Sequence, residues 1–109
     1  MSLEGSGYQL DEQTYQFIKN NKRLIEILFF YTNPLSKNLT YEEISERLTR
    51  EGESTITLLK ELDRGIQLQM IGCLEGNELK QNKYFLKEEL SYKAFVRKEE
   101  AEAKEKKTT

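Results

Sequence analysis

The side chains able to do chemistry here are mostly carboxylates and ammonium or guanidinium groups: 19 Asp and Glu, 17 Lys and Arg, one Cys and no His. Without histidine the chain lacks the commonest general base, the usual partner of a nucleophilic Ser or Cys, and the commonest metal ligand. The carboxylates recur at helix-surface spacing among lysines, the pattern of a solvated face rather than of a paired acid and base. Cys73 stands in an apolar run, which suits a buried structural thiol, and as the only cysteine it can form no internal disulfide. Neither a Gly-rich phosphate loop nor a cysteine cluster occurs. The expectation is a protein without enzymatic activity, cofactor or metal.

Recognition by helix ends, hydroxyls and lysines is the chemistry left, and its strongest signal is Leu39-Thr40-Tyr41-Glu42-Glu43-Ile44. Thr40 can cap a helix while Glu43 reaches back to the cap amide, with Leu39 and Ile44 placed to close a hydrophobic staple. That helix should run from about Tyr41 to Thr49 with Ile44 and Leu48 on one face. Gly52 then offers a turn with positive φ. The next helix is expected to begin near Ser54 and stop at Gly65, with Thr55, Leu59, Leu62 and Ile66 inward and Ser54, Ile56, Thr57, Lys60 and Asp63 outward. Leu58 fits either side.

Upstream, Tyr15, Phe17, Ile18, Leu24, Ile25, Leu28 and Tyr31 recur near helical spacing, as one core helix or as two divided at Asn20-Asn21. A loop through Thr32 to Asn38 holds the only proline, and Leu39 can pair as a minimal strand. Downstream, Gln67 to Leu74 and Asn82 to Leu86 read as two strands joined by turn chemistry at Glu75-Gly76-Asn77-Glu78. Residues 87 to 96 suit a helix. From Arg97 onward alanine is the only apolar residue, so residues 97–109 are expected to be a charged, frayed or disordered tail. Residues 1–10 are expected to be a flexible leader. No apolar run nears the roughly 18 to 20 residues of a membrane span, and no signal-peptide pattern is present, so the expected location is cytoplasmic.

This order of parts is that of a winged helix-turn-helix: an α+β, mostly α fold with a three-helix core, a β-hairpin wing and additional helical segments at both ends, over residues 11–96. Residues 22 to 87 resemble the winged-helix domain of bacterial and archaeal transcription regulators of the general ArsR and MarR kind. The segments Arg23–Leu28, Leu39–Leu48, Ser54–Leu62 and Asn82–Leu86 carry the resemblance. It implies binding of double-stranded DNA, with the third helix in the major groove and the wing on the backbone. Position by position it implies that Ser54, Thr55, Thr57 and Lys60 face DNA, with Thr40 near phosphate and Lys80 and Lys83 on the wing. Where such regulators commonly offer Arg or His in mid-helix, this chain has Thr57-Leu58.

Net charge is −2, with pI near 5.3, so DNA binding must rest on a local patch. Residues 40 to 66 hold four basic against seven acidic side chains, whereas residues 79 to 98 hold six against two. The basic patch is the wing and the helix after it. The alternative reading is a winged-helix module that binds protein, using Ile56 and Leu58 as exposed apolar anchors. A homodimer through the aromatic first helix and residues 88–96 is a further expectation.

Overall fold

The computed structural model of the protein describes residues 10–32 and 37–108. It is mostly helical with one small antiparallel sheet, in the order α1 (Glu12–Asn20), α2 (Lys22–Thr32), β1 (Leu39–Thr40), α3 (Tyr41–Arg50), α4 (Leu58–Gln67), β2 (Ile71–Leu74), β3 (Lys83–Leu86) and α5 (Glu89–Thr108). Residues 1–9, most of the expected leader, and residues 33–36 of the Pro34 loop lie outside the described residues.

The first helical stretch is two helices. Asp11 caps α1, its carboxylate accepting the Thr14 N–H at 2.8 Å. At the break, the Asn21 amide donates to the Phe17 carbonyl at 3.0 Å and to the Glu61 carboxylate at 3.2 Å. These bonds take the side chain across to α4. The Asn21 carbonyl then accepts the Ile25 N–H and starts α2.

The sheet order is β1-β3-β2, both pairs antiparallel, with Leu39 opposite Tyr84 and Ile71 opposite Leu86. One core joins all the elements: Ile18, Ile25, Leu28, Leu39, Ile44, Leu62, Met70 and Ile71 are fully buried, and Leu58, Tyr84 and Phe95 close around them. These side chains come from every helix and every strand, so the sheet and the α3–α4 pair are fixed to each other through a shared interior.

Four boundaries differ from expectation. α4 begins at Leu58 rather than Ser54, because the Ser54 hydroxyl accepts the Ile56 N–H at 3.2 Å and holds a local turn instead of capping a helix. It also runs past Gly65 to Gln67. Gly65 is an interior helix residue whose hydrogen faces the Ile71 and Phe17 side chains, where a Cβ would come within 2.4 Å and 3.0 Å of them. The helix ends instead with Gln69 at φ 65°, the Met70 N–H bonding the Gly65 carbonyl and the Gln69 N–H the Ile66 carbonyl. This Schellman termination uses glutamine where glycine is usual, and it confines β2 to Ile71–Leu74.

The fourth difference is the tail: α5 continues as helix to Thr108, with no break at Arg97. Lys, Glu and Ala are good helix formers. Two long-range anchors add to that, since the Tyr15 hydroxyl donates to the Glu99 carboxylate at 3.1 Å and Lys98 lies 4.2 Å from the Tyr15 ring centroid.

Candidate nucleic-acid interface

Three elements converge on one groove of about 540 Å³, lined by Thr40, Tyr41, Glu42 and Ser45 at the head of α3, Leu59 of α4, Leu79 and Lys80 of the hairpin, and Tyr84 of β3. The head of α3 is held by the expected capping box. The Glu43 N–H donates to the Thr40 hydroxyl at 3.2 Å, and the Thr40 N–H donates to the Glu43 carboxylate at 2.9 Å. That amide bond is the main cause of a Glu43 carboxyl held below the usual carboxylate range. A charged Glu43 therefore already occupies the positive end of the helix. An incoming anion would meet the two amides of Tyr41 and Glu42.

On α4 the buried side is Leu58, Leu62 and Gly65. At 100° per residue the opposite ridge of the helix is Lys60, Asp63 and Gln67, all exposed, and Ile56 is exposed in the turn just before the helix. Leu58 is inward at 3% exposure, so the expected pair of solvent-facing anchors, Ile56 and Leu58, is not present. The apolar residues that do face out are Ile56 at 91% and, on the groove side, Leu59 at 41%. Sequence periodicity placed Leu59 inward because it shares a stripe with Leu62 and Ile66; the later helix start and the packing of Leu58 turn it outward.

The hairpin is stiffened by its own side chains. Buried Asn82 accepts the Gly76 N–H at 2.9 Å, and Gln81 accepts the N–H groups of Asn77 and Glu78 at 2.9 and 3.2 Å. These bonds fix a 3₁₀ turn at Leu79–Gln81, from which Lys80 projects beside Glu78 at 3.5 Å. Lys83 opposes Thr40 in register on β3 and is exposed.

The expected site residues therefore fall into two groups. Thr40 and Lys80 share the groove, with Lys83 beside it in the sheet and Lys60 on the outer ridge of α4. Ser54 and Thr57 instead line a small recess facing Asn20, Asn21 and Lys22 at the α1–α2 junction, and Thr55 is half-buried. Gln67, Tyr41 and Ser45 join the candidate surface without having been singled out. Helical spacing from Lys60 could have found Gln67, whereas Tyr41 and Ser45 depend on where the hairpin folds back.

Arg23, Arg47 and Arg50 line a second cavity between α2, α3 and Tyr92, where Arg47 stacks 4.4 Å from the Tyr31 centroid. Burial pushes the Cys73 thiol up, and among the described residues no group of His, Cys, Asp and Glu is placed to hold a metal ion. No described helix is long and apolar enough to cross a membrane. Compared with family models, curated proteins and solved structures, this chain finds no match.

Proposed function

We propose that this chain is a winged-helix protein that binds duplex DNA, with the outer ridge of α4 in the major groove and the β2–β3 hairpin as a wing on the backbone. The observation that carries the proposal is the groove shared by Thr40, Leu59 and Lys80 beside the exposed Ile56 turn and the exposed ridge of Lys60, Asp63 and Gln67. A helix seated in the major groove and a wing seated beside it leave one sugar-phosphate strand to cross between them. In this chain the crossing path is the groove, which offers the Tyr41 and Glu42 amides, the Tyr41 and Ser45 hydroxyls and the Lys80 ammonium. Regulation of transcription is the function that such binding would serve.

The apolar share of the same groove favours a second reading, in which a partner protein seats side chains against Leu59 and the 67%-exposed Leu79. A salt-titrated binding assay on random-sequence duplex separates the two. Each phosphate contact contributes about −0.9 to the slope of log affinity against log salt. With Lys60, Lys80 and Lys83 engaged, the parent should show a slope of about −2.7 per protomer. Lys80→Glu plus Lys83→Glu should remove about 1.8 of it with the fold intact. Absence of binding by the parent at low salt would overturn the DNA reading and favour the partner protein.

A further inference from the structure

The turn before α4 and the outer ridge of the helix carry four different chemistries in order: an apolar group at Ile56 in the turn, then a cation at Lys60, a carboxylate at Asp63 and an amide at Gln67 on the helix. Each matches one base-edge feature of the major groove: the thymine methyl, the guanine O6/N7 acceptors, the cytosine amino group and the adenine N6/N7 pair. A purely apolar docking face would have no use for the last three. Ile56 is the most informative of the set, because at 91% exposure it packs on almost nothing in its own chain. An exposed β-branched residue is also stiff at χ1, so it presents a fixed apolar knob.

The backbone beneath Ile56 is held in place. Its own N–H donates to the Ser54 hydroxyl at 3.2 Å, and the Leu58 N–H donates to the Thr55 carbonyl at 3.2 Å. Leu58, two residues on, is anchored in the core at 3% exposure. The tip is thus a knob on a tethered turn, one helical turn before Leu59. The Thr57-Leu58 pair puts no guanidinium near this tip. The Ile56 side chain carries no hydrogen-bonding group, so apolar contact is the base readout open to it.

We infer that Ile56 is a specificity-determining residue that contacts the C5-methyl group of a thymine in the major groove. This inference rests on the proposed DNA binding and adds to it a preference for thymine at the position beneath the helix tip. Removing one buried methyl from such a contact should weaken binding about fourfold.

The test starts from duplexes selected by the parent protein out of a randomised pool. In the tightest binder, thymidines are replaced one at a time by deoxyuridine, which keeps every hydrogen-bonding group and deletes only the methyl. At least one position should cost the parent about fourfold and cost Ile56→Ala nothing, while the variant keeps the parent's melting temperature and salt slope. If every thymidine-to-deoxyuridine change is neutral for the parent, or the same position is equally costly to Ile56→Ala, the inference is overturned while DNA binding stands. If the parent retains no duplex at low salt, the DNA reading itself fails, a result distinguishable from the other two.

Discussion

Replacing Gly65 with alanine sets two effects of opposite sign against each other. In an exposed helix interior the change stabilises by roughly 0.5–1 kcal/mol, because glycine loses more backbone entropy on folding and has a lower helix propensity. Here the new methyl would lie 2.4 Å from Ile71 Cδ1, 2.8 Å from Ile71 Cγ1 and 3.0 Å from Phe17 Cζ. Both neighbours are buried, at 1% and 5% exposure, so neither can swing into solvent. Overpacking of this kind costs about 1–3 kcal/mol. The steric term wins, and the expected net effect is a destabilisation of roughly 0.5–2 kcal/mol. Urea unfolding should show a lower midpoint at unchanged slope.

The cycle with Ile71→Val makes the argument specific. That change deletes Cδ1, the nearest clashing atom, and costs about 0.5–1.5 kcal/mol alone through lost packing. In Gly65→Ala plus Ile71→Val the methyl fills part of the space vacated, so the double variant should be more stable than the sum of the single costs predicts by at least about 0.5 kcal/mol. Stabilisation by Gly65→Ala, or strict additivity in the double variant, would refute close packing between α4 and β2 as the reason for a glycine at this site.

Two further outcomes follow from side-chain bonds. Glu43 has a folded pKa below its unfolded value, chiefly through the Thr40 N–H, so the stability it contributes is complete above the ordinary glutamate range and is lost as pH falls through the depressed value. Glu43→Gln should therefore be less stable at pH 7 and flatten the acid limb of a stability-against-pH curve, with the difference from the parent vanishing in strong acid. Tyr15→Phe removes the hydroxyl that reaches Glu99 and should loosen the second half of α5. Hydrogen exchange should quicken in the second half of α5 while protection in α3 and α4 stays as it was.

What the sequence made legible follows from the range of the interactions involved. The capping box at Thr40 and Glu43 spans three residues and was readable from residue types alone, as was the positive φ of Gly52, which the structure gives as 80°. Ser54 misled because a hydroxyl suited to capping a helix is equally suited to holding a local turn, and only the burial of Leu58 decides between the two. Gly65 misled because glycine as a helix stop and glycine as a packing contact look the same without Ile71 in view. Glutamine at the left-handed position of the α4 C-terminus carries no residue-type signal. The anchoring of the second half of α5 includes Tyr15 meeting Glu99, 84 residues away. The aromatic residues that suggested a dimer face have partners within the chain: Tyr15 packs 5.4 Å from Phe95 and Phe29 lies 4.8 Å from Tyr92, leaving Phe30 and Leu90 exposed.

The acidic excess of residues 40 to 66 changes meaning once its members are placed. Glu43 is bound into the α3 cap, Glu46 pairs with Arg50 at 3.3 Å, Glu51 with Arg23 at 3.7 Å, and Glu61 accepts from Asn21 at 3.2 Å. Arg47 and Arg50, half of the basic side chains in that segment, turn to the cavity behind α3. Glu53 and Arg64 line recesses beside Asn20 and Asn21. The charges left on the groove and the outer ridge are Glu42 and Asp63 against Lys60, with Lys80 beside Glu78 on the hairpin and Lys83 in the sheet. A near-balanced face of this kind cannot hold DNA by bulk attraction, because the counterion release from two or three lysines is small. If the proposed DNA binding holds, affinity has to come from fit, and on a surface relying on fit the exposed Ile56 before α4 and the Asp63 carboxylate on its ridge would decide which sequence is kept.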